Sequence, residues 1–176
     1  KGIHIIEWNS TKKITCIYLI ALGMKYLHDN NIVHQNLNPK NIVLDDDFNP
    51  KIYNFGFFSH MVVLNSMTYR STSGIQQLPI YNAPEVLDSG FAGKESDVYS
   101  FSLIVYEIIE NKRPFENFNG FAQLRQEIVV KKTRPIFDDK IEEFYQKLIE
   151  KCWCSDPSER LSFDDIINIL KTKIFL

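Results

Sequence analysis

Apolar residues recur along the chain with two distinct periods. Between residues 11 and 29 they fall at Ile14, Ile17, Tyr18, Ala21, Leu22, Met24 and Leu27. A spacing of three and four predicts an amphipathic helix. From Asp97 to Ile109 the chain is apolar almost all round, at Val98, Phe101, Leu103, Ile104, Val105, Ile108 and Ile109. That pattern predicts a helix buried on every face. Further helical patterns cover residues 119–131, 139–153 and 162–172, with Ser162 placed as an N-cap hydroxyl ahead of Asp164 and Asp165 in the first turn. Ile42-Val43-Leu44 and Lys51-Ile52-Tyr53 flank the acidic turn Asp45-Asp46-Asp47-Phe48-Asn49-Pro50 and read as two short strands. Residues 57–82 are rich in Ser and Thr and show no period. Compact domains seldom leave so long a stretch irregular unless it is functional or disordered. The predicted class is mainly α with one small β-ribbon.

Composition narrows the function classes. A chain of 176 residues at 44% hydrophobic content supports one good core. Twenty basic residues against 22 acidic ones leave a net charge of −2, which offers no field for nucleic acid or for an anionic membrane. No secretory leader and no apolar run near ~18 residues occurs, so a cytoplasmic location without a membrane span is expected. Cys16, Cys152 and Cys154 are too few and too poorly spaced for a disulfide framework or a zinc site, and are expected as free thiols. The three adjacent Asp residues do not make a calcium loop. Counting from Asp45, the sixth and twelfth positions are Pro50 and Gly56, where an EF-hand requires Gly and Glu.

The candidate chemistry lies in the run His34-Gln35-Asn36-Leu37-Asn38-Pro39-Lys40-Asn41, followed thirteen residues after Asn41 by Asn54-Phe55-Gly56. Further along come Ala83-Pro84-Glu85, Ser96-Asp97-Val98-Tyr99-Ser100-Phe101, Arg113-Pro114-Phe115, Cys152-Trp153, Asp156-Pro157 and Arg160. In this order the motifs resemble those of the protein kinase superfamily, whose catalytic loop reads H-R-D-L-x-x-x-N and whose metal-binding turn reads D-F-G. The resemblance runs from about Trp8 to about residue 172, and Cys-Trp-x-x-Asp-Pro-x-x-Arg is most similar to the tyrosine-kinase-like branch. It implies a protein-kinase-like C-lobe over residues 1–176, with a catalytic-loop region at 32–41, an activation segment at 54–85 and the N-lobe absent. None of the seven glycines is spaced as the phosphate-covering G-x-G-x-x-G loop of that lobe.

The same resemblance assigns roles by position. Asn36 stands where the family carries its catalytic Asp, Asn38 where it carries a Lys near the transferred phosphate, and Asn41 and Asn54 at the two metal-binding positions. General acid-base help contributes typically ~10² to 10⁴-fold, and an amide supplies none of it. Magnesium favours charged oxygen ligands, which two amides do not provide. Leu78 replaces a Thr common in Ser/Thr kinases. Gln35 replaces the Arg that would receive a phosphate on Thr68, Tyr69 or Thr72. Structural roles are implied for the packed pair His34 and Phe55, for Gly56, for Asp97 as an acceptor of catalytic-loop N–H groups, and for Glu85 with Arg160 as a buried ion pair.

The expected function is a pseudokinase-type scaffold or allosteric module that meets a protein partner through the activation segment and the C-lobe helices. No cofactor is expected, although ATP and magnesium serve the family. An unconventional ATP-dependent Ser/Thr kinase is the alternative, supported by Pro39 and the Tyr81-Asn82-Ala83-Pro84-Glu85 context. A non-functional fragment is the third reading, since Asn occurs fourteen times and Asp-to-Asn changes also arise by compositional drift. Against drift, Phe55, Gly56, Pro84, Glu85, Asp97, Trp153 and Arg160 stand while the reactive positions changed.

Overall fold

The buried helix organises everything around it. In a computed structural model, which describes residues 8–56 and 79–175, there are six α-helices and one two-stranded antiparallel ribbon, which lies against the first helix. Helix α1 spans Ser10–Asp29 and begins at Asn9, whose side-chain oxygen accepts a hydrogen bond from the Lys12 N–H at 2.9 Å. Strands β1 (Ile42–Leu44) and β2 (Pro50–Ile52) pair with Val43 opposite Lys51. The acidic turn between them is organised by Asp45, which accepts from the Asn49 and Asp47 N–H groups at 2.8 and 3.1 Å and pairs with Lys51.

Helix α2 (Pro84–Ser89) ends at Gly90, whose φ of 76° is a left-handed conformation that glycine adopts without strain. Helix α3 then runs from Lys94 to Glu110. All eleven residues from Ser96 to Tyr106 are buried, so it passes through the core as its sequence predicts, while its last turn is only half-buried. Helix α5 (Glu143–Cys152) packs Tyr145, Leu148, Ile149 and Cys152 against it. Helix α6 (Phe163–Ile174) lies on α1. Its cap is reciprocal: Ser162 Oγ accepts from the Asp165 N–H at 3.2 Å, and the Asp165 carboxylate accepts from the Ser162 N–H at 3.1 Å.

Two predicted helices differ in detail. The 119–131 pattern resolves into a short α4 (Phe121–Arg125) that continues as a π-helical turn over Gln126–Val130, closed by the Lys131 N–H on the Gln126 carbonyl at 3.0 Å. Leu124 and Ile128 remain on one buried face through the change and join Ile80 and Leu87 in a small satellite core. The 139–153 pattern begins late, at Glu143, because Asp138 to Ile141 form a turn and Glu142 is extended.

The Ile52 side chain of the ribbon packs directly over Gly23 of α1. A Cβ there would sit 2.9 Å from Ile52 Cδ1, inside van der Waals contact. Cys16 and Cys152 are buried thiols and Cys154 is partly exposed, none of them in a disulfide. Burial pushes the Cys16 thiol up to about 11. Among the described residues no helix is long and apolar enough to cross a membrane.

Candidate functional site

The loop from Ile32 to Asn41 is suspended from α3 by one carboxylate. Asp97, almost wholly buried, accepts hydrogen bonds from the His34 N–H at 2.8 Å and the Gln35 N–H at 2.9 Å. Gln35 has a φ of 68°, so the loop turns sharply at the point where it is held. A third bond joins Asp97 to His28 Nε2 at 2.9 Å, from the last turn of α1. Sequence reasoning missed His28, which reads as the polar end of an amphipathic helix. Lys94 adds a brace, donating to the His28 carbonyl at 2.6 Å. An anionic acceptor shared by buried donors is strong because no water competes for it.

His34 is fully buried, and its ring meets Phe55 edge to face with centroids 6.4 Å apart. Burial, the largest influence, pushes the imidazole below its ordinary value, with His28 adding in the same direction and Asp97 opposing. The ring is therefore neutral at pH 7. Phe55 itself is 39% exposed. Gly56 follows with a φ of 75°, a left-handed conformation that favours glycine, and no atom of the described residues lies within 4 Å of where a Cβ would point.

The four asparagines gather into one hydrogen-bonded group. The Asn36 carbonyl accepts from Asn38 Nδ2 and from Asn41 Nδ2, both at 2.8 Å. Asn38 Nδ2 also reaches Asn36 Oδ1 at 3.0 Å, while Asn38 Oδ1 accepts from the Lys40 N–H at 3.0 Å. Asn54 Nδ2 donates to Asn41 Oδ1 at 3.2 Å. A divalent cation does not fit this arrangement: hard cations take oxygen ligands, and Asn54 turns its N–H toward the neighbouring oxygen. Leu78, Thr68, Tyr69 and Thr72 lie outside the described residues.

Farther from the loop, Glu85 and Arg160 form a bidentate ion pair, with Nη1 to Oε1 at 2.7 Å and Nη2 to Oε2 at 2.8 Å. The guanidinium is fully buried and the carboxylate 20% exposed. Burial alone would raise the Glu85 carboxyl, but the Arg160 contacts, its own backbone and the Ser96 hydroxyl outweigh it and hold the group below its ordinary value. Arg160 also donates to the Glu95 carbonyl at 2.9 Å and from Nε to the Cys154 carbonyl at 2.9 Å. Its guanidinium and that of Arg134 each lie 5.2 Å from the centre of the buried Tyr99 ring. Beside α3, the Tyr81 hydroxyl bonds Glu107.

A helical lobe with a small ribbon, a loop hung from a buried aspartate and a buried Glu–Arg pair define a protein-kinase type of domain. Comparison with known proteins agrees: the family described as protein tyrosine and serine/threonine kinase matches residues 6–170. The chain belongs to that family. It is 37% identical over 172 residues to the dual specificity protein kinase pyk3 of Dictyostelium discoideum, covering 97% of this chain and 12% of that protein. It is 34% identical over 152 residues to the dual specificity protein kinase shkC of the same organism, covering 85% of this chain and 30% of that one. The chain thus spans well under two thirds of the curated relatives it matches.

Proposed function

We propose that residues 1–176 act as the lower lobe of a pseudokinase of the tyrosine-kinase-like branch, a cytoplasmic binding module that does not transfer phosphate. The observation that carries this reading is the state of Asn36. At the position of the family's catalytic base, its backbone carbonyl and side-chain oxygen are both occupied by neighbouring amides. Asn38 supplies no positive charge to a phosphate, and Asn41 and Asn54 are bonded to each other. In phosphoryl transfer the protein contributes chiefly positioning and charge stabilisation, and this site is neutral.

In this reading the framework serves recognition. The loop stays formed through Asp97, and the end of the activation segment stays docked through Glu85 and Arg160. A protein partner would meet the surface built from that segment and the helices after it. A thermal-shift titration with ATP and magnesium, run beside a phosphate-transfer assay on a generic protein substrate, tests the proposal. No turnover above background and no magnesium-dependent nucleotide stabilisation are expected. Turnover that vanishes on Asn36→Ala would overturn the reading.

The relatives supply an observation for a second reading, an unconventional ATP-dependent protein kinase, since pyk3 and shkC are both named protein kinases, of dual specificity. The same assay decides between the two.

A further inference from the structure

The orientation of each amide in the asparagine group follows from backbone groups of fixed polarity. A carbonyl only accepts, so the bond to the Asn36 carbonyl requires Asn41 to present Nδ2 there. Its Oδ1 is then the atom facing residue 54. Asn54 must donate to it, and it does, at 3.2 Å. On the other side, the Lys40 N–H can only donate, which fixes Asn38 Oδ1 on it and leaves Asn38 Nδ2 for the two oxygens of Asn36. No member can be flipped without setting like against like.

From this we infer that the Asn54 to Asn41 hydrogen bond joins the catalytic loop to the Asn54-Phe55-Gly56 turn in place of a divalent cation, so that the tie is cation-independent. An acid at position 54 would oppose two oxygens with no proton between them. Such a pair repels unless a cation bridges it. The Asn54 amide N–H occupies the role that the bridging charge would have. Asn54 also has a φ of 59°, a left-handed conformation that Asn, Asp and Gly tolerate better than other residues. Replacement by Asp or Gly therefore tests the side chain without adding backbone strain. This inference stands apart from the scaffold reading, because phosphate transfer by the chain would overturn that reading and leave the tie untouched.

The test is thermal unfolding of the full chain and of N54D and N54G, in EDTA and in millimolar magnesium at matched ionic strength. The wild type should have the same Tm in both buffers. In EDTA, N54D should melt about 2 to 4 °C lower, the shift expected for one lost hydrogen bond in a domain of this size, and magnesium should restore it. N54G should lose a similar amount in both buffers with no response to the metal. A wild-type Tm that rises with magnesium, an N54G variant as stable as wild type, or an N54D variant that magnesium does not rescue would each overturn the inference.

Discussion

The carboxylate of Asp97 holds the His34 and Gln35 N–H groups from below while His28 Nε2 bonds it from the side. A residue on the buried helix thereby sets the shape of a loop more than sixty positions earlier. Asp97→Ala should leave three groups without their partner, the His34 and Gln35 N–H groups and His28 Nε2, at about 1 to 3 kcal/mol for each one buried. Asp97→Asn keeps one acceptor oxygen and should lose roughly half as much. Urea unfolding of both variants measures the difference, and equal losses would show that the bonds are not shared as described.

The Glu85 to Arg160 pair makes a sharper prediction. Glu85→Ala leaves a fully buried guanidinium uncompensated, and such losses run to about 3 to 5 kcal/mol. Glu116→Ala, at an exposed carboxylate, should change stability by no more than about 0.5 kcal/mol. Similar small effects at both sites would contradict burial of the pair.

Stability should fall in two stages on acidification. His34 is depressed below its ordinary 6.5 by burial, so near pH 6 the unfolded chain takes up a proton that the folded chain refuses. Its contribution is complete above about pH 6.5 and is lost as pH falls through the lower folded value. Glu85, also depressed, contributes fully above its ordinary 4.5 and loses that contribution at lower pH. Chemical denaturation between pH 7.5 and 5 should show the first stage in wild type. His34→Gln should flatten it, with Asp97 and His28, the other ionisable side chains acting on this ring, left in place.

Ser162→Ala should lower stability by about 1 kcal/mol through loss of the α6 cap, readable as a shift of the urea midpoint at unchanged slope.

The helical frame was legible wherever burial alone set the pattern. Helix α3 could be read because it is apolar on every side, and α6 because Ser162 and Asp165 mark its start. Elements fixed by distant contacts were harder. The π-helical turn at Gln126–Val130 keeps Leu124 and Ile128 on one face, so its sequence is that of an ordinary helix. His28 carries no local sign of its bond to a carboxylate 69 positions away. The asparagines were visible as missing charges, whereas their mutual bonding depends on where the Asn36 carbonyl points, a matter of three-dimensional placement.

Arg160 is bonded at once to the side chain of Glu85, the carbonyl of Glu95 and the carbonyl of Cys154, while stacking on Tyr99. One guanidinium therefore ties α2, the start of α3 and the approach to α6 into a single cooperative unit. Fraying of α2, only six residues long, would have to break the bonds of Glu85 to Arg160 and to Ser96, both held in the core by other contacts. Its amide protons should accordingly exchange with solvent more slowly than those of an unanchored short surface helix, and loss of the anchor in Glu85→Ala should speed their exchange through local opening.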